Sequence, residues 1–122
     1  MTNQTDEPAS NLTAHELGLR GERAAARYLE YRGYEIERNW SCFAGEADII
    51  AFDGDTLCFI EVKTRRGLDK GFPAEAVTRA KRTRYESIAA CYLRDHHYCD
   101  IAVRFDIISL VVLDDHRAFL RL

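Results

Sequence analysis

Two strand-like segments joined by a very short link constrain this chain most. Residues 46–52 carry Ile49, Ile50 and Phe52, residues 57–64 carry Leu57, Phe59, Ile60 and Val62, and Asp53-Gly54 between them is a hairpin turn signal. A link this short forces the strands to be antiparallel. A helical pattern follows, starting near Pro73, a residue suited to a first helical turn, and ending near Arg94. Residues 101–113, rich in Val, Ile and Phe, then read as a long strand. A helix between two strands is the connection a parallel pair needs, so the strand at 57–64 and the strand at 101–113 are expected to run parallel.

Upstream, Thr13 and Glu16 form a capping-box signature. Leu17, Gly21, Ala25, Tyr28 and Leu29 recur at helical spacing, and Arg32-Gly33 is a stop, so a helix is predicted over 14–32. Residues 34–40 alternate as a strand, residues 65–72 with Gly67 and Gly71 read as a flexible loop, and residues 118–122 as a short last strand. The order is helix, three strands, helix, strand: an α/β fold with a mixed sheet flanked by helices. At 122 residues this is one domain. Polar residues 1–12, without a basic or apolar leader pattern, read as a disordered tail before a domain at 13–122.

The net charge is −3, but it is unevenly placed. Residues 61–86 hold 8 basic against 4 acidic groups, a local excess that could hold an anionic partner or simply form a solvated face. No apolar run approaches membrane-spanning length, so no membrane partner is expected. Cys42, Cys58, Cys91 and Cys99 make no CxxC pattern and read as free thiols of a cytoplasmic protein. The four histidines are scattered, and none is assigned a metal.

The charges of the hairpin carry the chemistry. Side chains two apart share a strand face, so Glu46, Asp48, Ile50 and Phe52 line one face of the first strand. Leu57, Phe59, Glu61 and Lys63 line one face of the second, in the reverse polar order. Folding the hairpin brings the charged ends together. A four-residue loop sets Asp48 directly opposite Glu61, a two-residue loop at Asp53-Gly54 makes them diagonal, and a three-residue loop puts them on opposite faces. Two carboxylates at one site call for a cation, and oxygen ligands suit Mg²⁺ or Mn²⁺. Such an ion polarises a phosphodiester and acidifies a water, and a lysine beside it orients or deprotonates that water or stabilises the transition state. The same residues could also form a structural salt-bridge network.

An acid on one strand followed by Glu61-Val62-Lys63 on the next resembles the PD-(D/E)xK nuclease superfamily. The chain is more similar still to the uncharacterised bacterial YraN-like family, itself similar to Holliday-junction resolvases. The likeness rests on Gly18-Leu19-Arg20-Gly21-Glu22, Gly45-Glu46-Ala47-Asp48-Ile49-Ile50, Phe59-Ile60-Glu61-Val62-Lys63-Thr64-Arg65, Glu75-Ala76-Val77 with Lys81, and Arg104-Phe105-Asp106. The resemblance implies a restriction-endonuclease-like α-β-β-β-α-β core. It implies Asp48, Glu61 and the Val62 carbonyl as ligands of Mg²⁺ or Mn²⁺, Lys63 as the catalytic lysine and Glu22 as an additional acid. It also implies a homodimer. Ala47 stands where the superfamily often has proline.

Arg65, Arg66, Lys81 and Arg84 are the expected phosphate contacts; on the helix, Lys81 and Arg84 interrupt the apolar stripe and could equally be snorkelling stems. Three readings stay open: an Mg²⁺-dependent endonuclease-like protein acting on structured DNA, a nucleic-acid-binding module that does not cut, and a protein-interaction domain whose acids form an ion network.

Overall fold

The computed structural model describes residues 12–67 and 78–112, and the backbone of residues 118–121. The elements run α1 (Ala14–Tyr31), β1 (Ile36–Cys42), β2 (Gly45–Asp53), β3 (Thr56–Arg66), α2 (Arg79–Asp95), β4 (Ala102–Val112) and β5 (Ala118–Arg121). They form the expected α-β-β-β-α-β core with a fifth strand added. The sheet order is β1-β2-β3-β4-β5. β2 and β3 are antiparallel and β3 and β4 parallel, as the connection lengths require.

Local signals set the helix ends. The Thr13 side chain accepts from the Glu16 amide and Glu16 accepts from the Thr13 amide, closing the capping box. At its far end α1 stops on a Schellman pair, Gly33 N to Glu30 O and Tyr34 N to Leu29 O, with Gly33 at φ +92°. α2 ends the same way, with His97 in the left-handed position and Tyr98 N donating to Leu93 O.

The sheet is covered on both sides. Ala25, Ala26 and Leu29 of α1 pack on Ile49, Cys58, Ile60 and Ile108. Tyr85, Ile88, Ala89 and Tyr92 of α2 pack on Ala47, Ile50, Leu57 and Phe59 of the opposite face. Phe59 is fully buried, with Tyr92 edge-on at 5.7 Å.

Several boundaries differ from expectation, and β1 runs over Ile36–Cys42 rather than 34–40. Leu12, assigned to the tail, is buried against Leu17 and Val112, and its carbonyl accepts from the Arg66 guanidinium. The rest of the expected tail, residues 1–11, lies outside the described residues. Arg65 and Arg66, assigned to a loop, continue β3, because β4 is long enough to pair with them through Val111 and Val112. The remainder of that loop and residues 73–77 lie outside the described residues, but α2 does not run through Thr78 as expected: it begins at Arg79, because Thr78 is extended and caps it, its hydroxyl accepting from the Lys81 amide. Among the described residues, no helix is long and apolar enough to cross a membrane.

Candidate functional site

The hairpin turns at Gly54-Asp55, with Gly54 at φ +60° and Asp53 paired to Thr56. That is one residue later than the Asp53-Gly54 signal, and it gives the register of the longer loop. β2–β3 pairing runs up to Ile49↔Ile60, so one further step sets Asp48 across from Glu61.

At this step the strands stop behaving as a regular ladder. Ala47 packs in the α2-side core, whereas Ile49 packs in the α1-side core. Two residues apart on a regular strand should share a face. The neighbouring strand does the same, with Ile36 against the α1-side core and Trp40 against the α2-side core. Between them Asn39 has φ +55°, a left-handed conformation that Asn tolerates better than most residues. The expected single face of Glu46, Asp48, Ile50 and Phe52 is therefore broken. Asp48 sits at the break and turns toward β3, where its Oδ2 accepts from Val62 N at 2.8 Å. A carboxylate thus replaces a missing ladder acceptor. The Val62 carbonyl leaves the extended chain on the same side as its amide, toward the same gap.

Glu61 lies on the α2 face. Its Oε1 is 3.3 Å from Lys63 Nζ and its Oε2 is 3.3 Å from Lys81 Nζ. Oε2 is fully buried and has no partner at hydrogen-bonding geometry. Burial alone would raise the Glu61 pKa; the Tyr85 hydroxyl and the charges of Lys63 and Lys81 outweigh it and hold the carboxyl below its ordinary value. Tyr85 is pushed up by burial, by hydrogen bonding to Glu61 and by the charges of Glu61 and Asp48. It therefore feels both carboxylates.

Glu22 approaches from α1. Gly21 is buried against Thr64 of β3, close enough that a Cβ would collide with that side chain. This contact lowers α1 onto the sheet and brings the next residue, Glu22, to Asp48. Burial, then the charge of Asp48 and a hydrogen bond shared with it, then Glu46, push the Glu22 pKa up to about 7, with Arg38 opposing.

The sign of the stability effect follows. A carboxyl whose folded pKa is raised contributes stability in full below its ordinary value of 4.5, and loses it as pH climbs through about 7. Without added cation the protein should lose stability between those limits. Glu22→Gln should flatten that slope and stabilise the protein at pH 8 by about 1 kcal/mol once solvent screening is allowed for. Thermal melts across the pH series would check this; an unchanged slope would assign the pH dependence to another group.

Of the residues singled out from sequence, Glu61, Lys63 and Lys81 meet on the α2 face, and Glu22, Asp48 and the Val62 amide meet where α1 reaches the strand break. Arg84 lies one turn beyond Lys81 with its guanidinium 5.4 Å from the Tyr85 ring centre. Arg66 goes elsewhere, bonded to Leu12 beside the start of α1. Arg65 is exposed next to it in β3, where successive side chains leave on opposite faces. Sequence reasoning missed Tyr85 as a site residue, although its i, i+4 spacing from Lys81 placed the two on one helical side.

Among the described residues no three Asp, Glu, His or Cys side chains converge as a metal cage. Mg²⁺ does not need one, since it is commonly held by one or two carboxylates and keeps several waters. The crowding of Glu22 on Asp48 is what a cation would relieve, and carboxylate oxygens are the ligands Mg²⁺ takes, so the donor set fits such an ion.

Comparison with known proteins gives the family. The model of an uncharacterised protein family, UPF0102, matches residues 21–110, which include Glu22, Asp48, Glu61, Lys63 and Tyr85. A UPF0102 protein of Chlorobaculum tepidum is 51% identical over 98 residues, covering 80% of this chain and 76% of the relative. One of Nocardia farcinica is 48% identical over 102 residues, 83% of this chain and 80% of the relative. One of Rhodococcus jostii is 50% identical over 97 residues, 79% and 82%. The chain belongs to the UPF0102 family.

Proposed function

We propose that this protein is a nuclease-like, DNA-binding protein that hydrolyses phosphodiesters of structured DNA with Mg²⁺ or Mn²⁺. The observation that carries the reading is an Asp48 carboxylate bonded to Val62 N and crowded by Glu22, one strand step from a buried Glu61 carboxylate held between Lys63 and Lys81. Asp48, Glu61 and the Val62 carbonyl would hold the ion. When bound, the ion would polarise the phosphodiester and acidify a water.

The chain's own residues do the rest. Lys63 Nζ orients or deprotonates the attacking water, or stabilises charge in the transition state. Glu22, hydrogen-bonded to Asp48, is the additional acid beside the ligand carboxylate. Tyr85 holds the Glu61 carboxylate in place from α2. The likeness of Glu61-Val62-Lys63 to the PD-(D/E)xK pattern supports the same assignment. The free thiols Cys42, Cys58, Cys91 and Cys99 fit a cytoplasmic setting.

One observation favours a second reading, a binding module that does not cut. Glu61 already lies between two lysines, which neutralise it without a metal. Cleavage assays on duplex, single-stranded, flap and four-way-junction DNA, with Mg²⁺, Mn²⁺ or EDTA, separate the two. EDTA-sensitive cutting of any substrate supports the nuclease; binding without cutting in either metal supports the module.

DNA affinity should also depend on Arg65, Arg66, Lys81 and Arg84. Replacing all four with neutral residues should weaken binding and flatten its salt dependence by roughly one unit per lost phosphate contact. Titrations at several salt concentrations measure this directly, and an unchanged slope would leave these cations as a solvated surface.

A further inference from the structure

We propose that the outer edge of β4 is a self-pairing surface, and that two copies of this chain dimerise by antiparallel β4–β4 pairing centred on Phe105. β3 occupies the whole inner edge of β4, from Ala102 to Val112. β5 covers the outer edge only from Ser109 to Val112. Among the described residues, no strand pairs with the outer side of 102–108. Such an edge is a row of open N–H and C=O groups that templates pairing. Among the described residues this one lacks several of the usual protections. It has no proline, its pairing with β3 runs without a bulge, and its two charges compensate each other. Arg104 Nε donates to Asp106 Oδ1 and Oδ2 at 3.1 and 2.9 Å, and Arg104 also reaches Asp53 at 3.1 Å.

The segment Val103-Arg104-Phe105-Asp106-Ile107 is complementary to itself when reversed. Antiparallel pairing about Phe105 sets each Arg104 opposite the second copy's Asp106. Val103 meets Ile107 and Phe105 meets Phe105. Directly opposed side chains share a face, so the charged pairs gather on one side and the apolar pairs on the other. Val103, Phe105 and Ile107 are each only half-buried, and they border an unfilled groove of about 400 Å³ between α2 and β4. Slipping the register by two residues in either direction would oppose Arg104 to Arg104 or Asp106 to Asp106, so charge selects the register. The helices do not obstruct it: α1 lies mainly over β3 and α2 over β2.

Paired in this way, the sheet continues through both copies with α2 on the same side in each. Glu61 sits beside Ile107 in the neighbouring strand. The two Glu61 residues would then share one face about 20 Å apart, from strand spacing and rise.

Sedimentation velocity of the full chain over a wide concentration series tests the surface without any nucleic acid. The wild type should show a monomer–dimer equilibrium. Asp106→Arg and Arg104→Asp, each alone, should weaken it at least about tenfold, because two pairs per dimer become repulsive. The double exchange Arg104→Asp/Asp106→Arg should restore it, with thermal melts confirming that each variant is folded. Hydrogen exchange of the wild type should show protection of the 103–107 amides that grows with protein concentration, a readout that needs no variant. A protein monomeric throughout, a dimer indifferent to the single exchanges, or concentration-dependent protection located elsewhere would overturn the proposal.

Discussion

Asp48→Asn is expected to abolish metal-dependent phosphodiester cleavage while leaving the fold in place. The substitution keeps an oxygen that can accept from Val62 N, so the β2–β3 junction retains its hydrogen bond. It removes the negative charge that attracts the ion. It also removes the charge that, after burial, does most to raise Glu22, so the Glu22 pKa should fall toward 4.5 and the loss of stability above that pH should shrink. DNA binding should persist, and strengthen without metal, because one charge repelling phosphate is gone.

Lys63→Ala should behave differently. Glu61 keeps Lys81 at 3.3 Å, so the carboxylate stays paired and the ion can still bind. The rate should drop by about 10²–10⁴-fold, the range expected when a group acting on the water or the transition state is lost. Calorimetry alongside cleavage assays distinguishes the two variants: Asp48→Asn loses metal binding and rate together, Lys63→Ala only rate. Wild-type cutting by either variant would place the activity at another site or in a contaminant.

What could be read from sequence was what is set locally. Thr13 and Glu16 announced the start of α1, Gly33 its end, and the short 53–56 link the antiparallel hairpin, since each depends only on neighbours within a few residues. The parallel β3–β4 pair followed from connection length alone. The site was legible as a set of residues but not as a shape. Alternation assigned Asp48 to the face of Ile50, because a period of two contains no information about where a strand rotates. The rotation is marked only by Asn39, an ordinary residue in a strand until its φ of 55° is known. Tyr85 escaped for another reason: an aromatic on a helix stripe reads as core, and it is 7% exposed core. That its hydroxyl meets Glu61 depends on how α2 lies across the sheet, which the helix pattern alone does not contain.

That dependence on close approach gives the largest expected effect on stability. Gly21→Ala would add a Cβ that overlaps Thr64 Oγ1 and lies 2.9 Å from Thr64 Cβ and 3.0 Å from its Cγ2. Rotating Thr64 about its Cα–Cβ bond can move Oγ1 and Cγ2 but not Cβ, so α1 must lift from β3. In an open helix the change would gain about 1 kcal/mol of propensity. Against that, forcing volume into a closed contact costs about 1–3 kcal/mol or more, and the helix must also shed packing by Ala25 and Leu29. A net loss of about 2 kcal/mol is expected, roughly 5–10 °C in melting temperature.

Thr64→Ala supplies the control. Thr64 Oγ1 is buried without a hydrogen-bond partner, so deleting it alone should be close to neutral. Combined with Gly21→Ala it should recover about half of the loss, a coupling of about 1 kcal/mol in a double-mutant cycle. Lifting α1 also draws Glu22 away from Asp48, so Gly21→Ala should move the Glu22 pKa down from about 7 and flatten the pH dependence of stability, as Glu22→Gln does. A Gly21→Ala protein more stable than wild type, with its pH profile unchanged, would mean that the contact with Thr64 neither limits the approach of α1 nor positions Glu22.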